Sequence, residues 1–281
     1  MISVIIPILD EEKNLTKLIT QLSIVLKKIG TKSEIIAVDD GSKDESLNTL
    51  KRLLKKFKLL KIVTFKINQG QTAAIMAGIE HSSGSIIIPI DADLQNDPED
   101  ILKLLKKLNQ GYDVVSGWRK NRKDSFLSRT LISIIANWLI SKVSGVKLHD
   151  YGCTLKAYKK DILQNVKLYG EMHRFIPIYA SWQGAKVAEI EVNHYPRTNG
   201  KSKYGLSRIF KVILDIFVVT FLNKYFTKPI YIFGGFGLIL LTLCFISIIY
   251  MCFLKVYYQL SMIQTPLPMV IVMTFVSGIL S

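Results

Sequence analysis

The sequence predicts an α/β protein: a mostly parallel sheet with helices on both faces, followed by helices directed to a membrane. Three observations predict it. Short aliphatic runs alternate with runs of helical spacing as far as Gly205, the rhythm of repeated βα units. Those aliphatic runs are apolar at nearly every position, as in strands covered on both faces. Beyond Gly205 the charge thins, and from Pro229 to Leu254 there is none.

Each element has its own signal. "SVIIPI", Ser3 to Ile8, is the first strand. No basic leader precedes it and acids follow at once, so it reads as a buried strand rather than a signal peptide. Leu15, Leu18, Ile19, Leu22, Val25, Leu26 and Ile29 then fall at helical spacing. "EIIAVDD" is a second strand. After Asp44 comes a helix with Leu47, Leu50, Leu54 and Phe57 inward and lysines outward. "KIVTFKI" is a third strand, "QTAAIMAGIEHS" a short helix and "SIIIPI" a fourth strand. Asp97-Pro98-Glu99-Asp100 opens another helix. Asp97 caps it, Pro98 sits in the first turn, and the acids face the positive end of the dipole. "DVVSG" is a fifth strand.

The rest is apolar. "GLSRIFKVILDIFVVTFLNKYF" keeps only a thin polar stripe at Arg208, Lys211 and Asp215. That suits a helix lying in a membrane interface; an ordinary core helix is the other reading. Pro229–Leu254 exceeds the roughly 20 residues that span a bilayer. After Lys255 no charge remains, and "PLPMVIVMTFVSGILS" reads as a second span that stops early, either truncated or unusually short. Lysines and arginines crowd the N-terminal side of the first span, which makes that side cytoplasmic. The expected organisation is a catalytic domain over residues 1–204, an amphipathic segment over 205–228 and transmembrane helices over 229–281. That is a multi-pass protein of the cell's inner membrane.

The chain carries 37 Lys+Arg against 22 Asp+Glu, a net charge of +15. Such a balance implies an anionic partner as well as positive-inside topology. Nucleic acid is the partner that charge alone would suggest, but no aromatic-basic platform supports it and the apolar tail opposes it. Three cysteines, Cys153, Cys244 and Cys252, make no CxxC pair. This excludes a disulfide framework and fits a reducing compartment.

Ligands of open parallel sheets bind at the carboxyl ends of the strands. Three such ends carry acids: Asp10, Glu11 and Glu12; Asp39 and Asp40; Asp91 and Asp93. Residues two apart on a strand project to one side, so Asp91 and Asp93 can face one point. Two unneutralised carboxylates repel, and a hard divalent cation removes the repulsion. Capping and turn formation is the competing explanation of this short spacing.

The wider pattern is more specific. "VIIPILDEE", "VDDGSKDES", "NQGQTAAIMAG", "DADLQNDPED" and "GWRKNR" occur in this order. They resemble the family 2 glycosyltransferases, which have a GT-A fold, and within them the polyprenyl-phosphate sugar transferases. "DYGCTLKAYKKDIL", "GEMHRFIP" and "RTNGKSKYG" extend the resemblance, and the apolar tail matches membrane-anchored members, so it covers nearly the whole chain. The resemblance implies that Pro7, Leu9, Glu11 and the Val38–Asp40 segment hold the nucleoside. It implies that Asp91, Asp93 and Gln95, with Ala92 between the acids, hold Mg²⁺ or Mn²⁺ against the donor diphosphate. Arg119 is implied to contact phosphate, Arg129 and Ser133 to take the lipid phosphate, and Arg197 and Lys203 to close over the donor. The family usually has Tyr-Asn-Glu where this chain has Leu9-Asp10-Glu11, so an aromatic contact to the nucleoside is lost.

Blander readings stand beside these. Arg129 also reads as a surface cation beside a membrane, and His173 as a satisfied structural histidine. Arg119, Arg122 and Lys123 are equally a solvated loop. Asp150 either caps a turn or orients the acceptor or sugar, and it is a candidate base. The implied reaction is one displacement at the anomeric carbon of a nucleotide sugar, UDP-glucose or GDP-mannose, by undecaprenyl or dolichyl phosphate. It inverts the centre. The phosphate nucleophile has a second pKa of about 6, so it needs positioning more than deprotonation. The alternatives are an anchored transferase with a glycan or protein acceptor, and a non-catalytic nucleotide-sugar sensor. A homo-oligomer is compatible with all three.

Overall fold

The structure is a computed structural model. It describes residues 1–120, 137–138, 140–142, 144–163, 170, 172–196, 214, 218, 221, 228–261, 263 and 265–281. The chain divides into two compact units, Met1–Ile216 and Phe217–Ser281.

The first unit is built on a seven-stranded sheet of order β3-β2-β1-β4-β6-β5-β7. The strands are β1 (Ile2–Ile8), β2 (Ser33–Asp39), β3 (Leu60–Thr64), β4 (Ile86–Pro89), β5 (Val114–Trp118), β6 (Lys156–Lys159) and β7 (Val187–Glu191). β1 runs parallel to β2 and β4, β2 parallel to β3, and β5 parallel to β7. β6 lies antiparallel between β4 and β5. The mostly parallel α/β expectation holds.

The aliphatic runs serve two cores at once. Along β1, Val4, Ile6 and Ile8 enter one core and Ile5 the other; along β2, Ile35 and Ala37 face Ile36 and Val38 in the same way. A strand alternates its faces, so burial on both sides favours apolar residues at successive positions, and the polar exceptions Ser3 and Glu34 bond each other at 2.6 Å. Each aliphatic side chain so buried contributes about 1.5–3 kcal/mol.

Helix α1 (Glu12–Ile29) buries Leu15, Leu18, Ile19, Leu22, Val25 and Leu26, the face its spacing predicts. It stops at Gly30, whose φ of 72° suits a residue without Cβ. Helix α2 (Ser46–Lys56) departs from expectation. Its buried residues are Ser46, Thr49, Leu50 and Leu53, while Leu54 is 44% exposed. Leu50 and Leu53 are three apart and Leu50 and Leu54 four, so either pair makes a helical face. The polar Ser46 and Thr49 join the inward side because they approach the β1 loop and Arg52. Helix α3 (Gln71–Glu80) lies against β1, where a Cβ on Gly78 would come within 2.3 Å of Ile5. Helix α4 (Asp100–Leu108) begins two residues beyond the expected first turn, though Asp97 Oδ1 does accept the Glu99 N–H at 3.0 Å. Short helices α5 (Lys160–Leu163) and α6 (Ile176–Trp182) complete this unit's described helices of defined extent.

The second unit holds α7 (Ile230–Tyr258) and α8 (Leu267–Leu280). The 29 residues of α7 make a rod of roughly 43 Å at 1.5 Å per residue. Its most apolar 18 residues have a mean hydropathy of 2.6, so by length and composition it can cross a membrane. The 14 residues of α8 reach roughly 21 Å, short of the ~30 Å hydrocarbon core. The two helices pair antiparallel. A Cβ on Gly237 would sit 2.7 Å from the Gly278 carbonyl, and Cys244 Sγ lies 3.6 Å from the Ile271 carbonyl. Glycine permits that approach. The amphipathic segment expected over 205–228 lies outside the described residues except at Leu214, Val218, Phe221 and Lys228.

Candidate active site

Because β1, β2, β3, β4, β5 and β7 run the same way, their carboxyl ends share one rim. The loop that enters antiparallel β6 starts from that rim too. The three acidic strand ends predicted from sequence are therefore neighbours, yet they differ in kind.

The first two are architectural. Asp10 Oδ1 accepts the Lys43 N–H at 2.7 Å and Glu12 Oε2 the Glu45 N–H at 3.0 Å. In return, Ser42 Oγ accepts the Asp10 N–H and Ser46 Oγ the Glu11 N–H. Glu11 Oε2 accepts from Asn14 at 2.7 Å. Asp40 is buried, and its two oxygens accept the N–H groups of Gln69 (2.7 Å) and Gly70 (2.9 Å), where α3 begins. The crossing is tight: a Cβ on Gly41 (φ 70°) would meet Asn68 N at 2.8 Å. Asp10, Glu12 and Asp40 thus take backbone N–H donors, as caps do. Val38 and Ala92 are buried, while Pro7 and Leu9 keep solvent contact.

The third pair is different. Burial and the neighbouring Asp93 charge push the Asp91 carboxyl up to about 6. Each opposes ionisation. Asp91 Oδ1 accepts from Gln71 Nε2 at 2.8 Å, and the nearby Thr154 side chain acts in the opposite sense to burial, favouring the ionised carboxylate. Asp93 is 6% exposed and its Oδ1 accepts the Gln95 N–H at 3.1 Å. The turn between them and Gln95 is strained, with Leu94 at φ 61°, a left-handed conformation that costs about 1–2 kcal/mol outside glycine. Gln95 Nε2 points to the Tyr195 carbonyl at 3.4 Å, which leaves its Oε1 as the amide's acceptor atom.

Arg119, just beyond β5, forms a fork with Asp150: Nε to Oδ2 is 2.7 Å and Nη2 to Oδ1 is 3.0 Å. Asp150 Oδ1 also takes the Gly152 N–H at 3.0 Å. Arg119 is thus held in the protein and is not a solvated loop cation. Its pKa is moved by burial, which lowers it, and is raised overall by Asp150. Its charge also acts on Asp91. Arg129, Ser133, Arg197 and Lys203, together with Arg122 and Lys123, lie outside the described residues.

Three positions that the sequence reading passed over belong to this site: Gln71, Thr154 and Lys156. Lys156 is 2% exposed on β6. Its Nζ donates to the carbonyls of Tyr151 (3.1 Å) and Cys153, and burial pulls it down to about 8. The Cys153 thiol is pushed up to about 11 by burial and is inert. His173 answers its open question. Thr72 Oγ1 donates to the Gly170 carbonyl at 2.5 Å, so at 2.7 Å His173 Nδ1 is the donor to Thr72. Burial keeps this ring neutral, which suits a structural tie. A cavity of about 310 Å³ is lined by Lys103, Lys120, Asn193 and Tyr195 among others, and Tyr195 is the residue whose backbone bonds Gln95. Both lysines are already paired, with Asp100 and Glu191.

An acid-bearing rim on a doubly covered, mostly parallel sheet defines a class that the comparisons identify. Residues 3–167 match the family described as Glycosyl transferase family 2. The chain belongs to that family and is a glycosyltransferase. Among its relatives, the dodecaprenyl-phosphate galacturonate synthase of Rhizobium johnstonii is 42% identical over 258 residues, covering 90% of this chain and 76% of that protein. The undecaprenyl-phosphate 4-deoxy-4-formamido-L-arabinose transferase of Aeromonas hydrophila is 38% identical over 218 residues, covering 77% of this chain. The chain spans 66% of that relative's length. Of the solved structures, the glucosyl-3-phosphoglycerate synthase of Mycobacterium tuberculosis, crystallised with Mn²⁺ and UDP-glucose, superposes with a TM-score of 0.61. It is 16% identical and covers 79% of this chain and 78% of its own. That likeness bears out the expected GT-A-type fold.

Proposed function

We propose that this glycosyltransferase moves a sugar from a nucleoside diphosphate to a polyprenyl phosphate, inverting the anomeric centre once. The observation that carries the proposal is the Asp91–Asp93 pair: two mutually repelling carboxylates at the sheet's rim, in a chain similar to enzymes named for polyprenyl-phosphate sugars. The relatives widen the expected donors. Galacturonate and 4-deoxy-4-formamido-L-arabinose stand beside glucose and mannose.

Asp91 and Asp93 would hold a divalent cation, with Gln95 Oε1 as a third oxygen. No group of three or more acid, histidine or cysteine side chains suited to a metal occurs among the described residues. This donor set fits a hard Mg²⁺ or Mn²⁺ ion whose coordination the donor's phosphates complete. When bound, the ion neutralises charge growing on the leaving diphosphate.

The chain's own groups do the rest. Asp150 fixes the plane of Arg119, and the guanidinium places a positive charge beside the donor phosphates. With both oxygens accepting from Arg119, Asp150 serves as that holder and not as a base. The acceptor is already largely dianionic at neutral pH, having a second pKa of about 6. It requires capture, which we give to Arg129 and Ser133. Pro7 and Leu9, partly open, are the surface for the nucleoside, with Glu11, Val38, Asp40 and Ala92 behind or beside it. Arg197 and Lys203 close on the donor. The enzyme works at the inner membrane with residues 1–204 cytoplasmic, 205–228 at the interface and 229–281 in the bilayer.

The test is transfer by the full chain in liposomes containing undecaprenyl phosphate, with radiolabelled nucleotide-linked glucose, mannose, galacturonate and 4-deoxy-4-formamido-L-arabinose. Label in the lipid fraction that disappears with EDTA is the expected result. Label on soluble glycan or protein instead would overturn the acceptor.

A further inference from the structure

The carboxylate of Asp91 is flanked by residues that no relative's name assigns. Gln71 Nε2 donates to Oδ1 at 2.8 Å, and the Thr154 side chain lies near enough to favour the ionised form. Neither donor is loosely mounted. Gln71 is the first residue of α3. Immediately before it, Asp40 grips the N–H groups of Gln69 and Gly70 at 2.7 and 2.9 Å. Immediately after it, Thr72 is tied to the Gly170 carbonyl and to His173. Thr154 is 7% exposed. It sits in the loop that Lys156 staples through the carbonyls of Tyr151 and Cys153.

An aspartate repelled by its neighbour would otherwise turn away from it. Rotation of the carboxylate is stopped only by donors whose own backbones cannot follow. Groups behind metal-binding acids act in this way, and losing one typically lowers metal affinity or activity by about 10–100-fold. A simple packing role for Gln71 is the alternative. It explains a well-placed amide, but not why its donor nitrogen meets the Asp91 carboxylate at 2.8 Å from a helix start that is itself tied down on both sides.

We propose that Gln71 and Thr154 are positioning residues for the divalent cation, a clamp that holds the Asp91 carboxylate facing Asp93. This rests on the assignment of Asp91 and Asp93 as cation ligands. It predicts a loss in metal affinity that exceeds any loss in nucleotide affinity. Gln71→Ala removes one donor. Gln71→Glu replaces the donor with a third charge. Thr154→Val removes the other donor at constant shape, and Thr154→Ser restores it.

The experiment titrates Mn²⁺ into the full chain in lipid nanodiscs, with UDP and with GDP in separate arms. Electron paramagnetic resonance counts free Mn²⁺, and calorimetry measures nucleotide affinity in EDTA. We expect Gln71→Ala and Thr154→Val to weaken Mn²⁺ binding about tenfold or more, with EDTA-resistant nucleotide affinity within about twofold of the unsubstituted protein. Thr154→Ser should bind Mn²⁺ like the unsubstituted protein. If wild type binds Mn²⁺ saturably and Gln71→Ala and Thr154→Val bind it equally well, the clamp is wrong and the metal site stands. If wild type itself binds no Mn²⁺ in either arm, the metal assignment fails and the clamp falls with it. Equal losses in Thr154→Ser and Thr154→Val would make Thr154 a packing residue and overturn its half of the proposal.

Discussion

Replacing Asp91 with asparagine should stabilise the metal-free protein while removing its activity. Asp91 has an ordinary carboxyl value of 3.8, and burial with the Asp93 charge raises it to about 6 in the fold. Between these values the folded state binds more protons than the unfolded state. Stability therefore falls as pH rises through that window and stays low above it. A shift of about 2 units at 1.36 kcal/mol each sets a ceiling of about 3 kcal/mol. Asp91 keeps partial solvent contact, and water screening reduces the measurable gain to about 1–2 kcal/mol. Asparagine occupies the same space, still accepts from Gln71 and carries no charge. The assay is urea unfolding of the full chain in detergent and EDTA, followed by tryptophan fluorescence. All three tryptophans (Trp118, Trp138 and Trp182) lie in the first unit. Asp91→Asn should match wild type near pH 4 and exceed it at pH 7.5. A variant no more stable than wild type at pH 7.5, or a gain that ignores pH, would refute the electrostatic reasoning.

Other perturbations address separate parts of the account. Asp93→Ala should abolish transfer in liposomes while fluorescence and circular dichroism report a folded protein. Arg119→Lys loses the two-bond fork with Asp150 and should lower kcat by about 10–100-fold, since an ammonium cannot reproduce that plane. Arg129→Ala should raise the KM for undecaprenyl phosphate at least tenfold and leave nucleotide affinity within twofold, read by lipid titration and calorimetry. In α2, Leu53→Ala should cost about 2–3 kcal/mol in urea unfolding, whereas Leu54→Ala, at 44% exposure, should cost under about 0.5 kcal/mol.

The parts legible in the sequence are those where one interaction sets the pattern. α1 repeats its apolar residues over five turns, so its buried face was fixed by period alone. Strands β1, β2 and β4 carry unbroken aliphatic runs because both faces are covered. In α2 the leucines at 50, 53 and 54 allow two faces, and only packing chooses Leu53 over Leu54. β6 and β7 gave no signal. β6 is four residues long and carries a buried lysine, and β7 is an edge strand with alternating acids. Their order was hidden as well, since β6 enters between strands that precede it in the chain.

The site divides the same way. The three acidic strand ends are visible, but the two whose acids are taken up by neighbouring loops look in sequence like the one whose acids oppose each other. The difference lies in partners twenty or more residues away. Gln71 reaches Asp91 only because β3 and β4 run parallel, and Thr154 only because β6 reverses.

The most direct test is a crystal of the full chain grown with Mn²⁺ and a nucleoside diphosphate and measured at the manganese absorption edge. The account predicts one anomalous peak touching carboxylate oxygens of both Asp91 and Asp93 and an oxygen of the diphosphate. A nucleotide bound at the rim with manganese elsewhere, or with the two carboxylates turned apart, would contradict it.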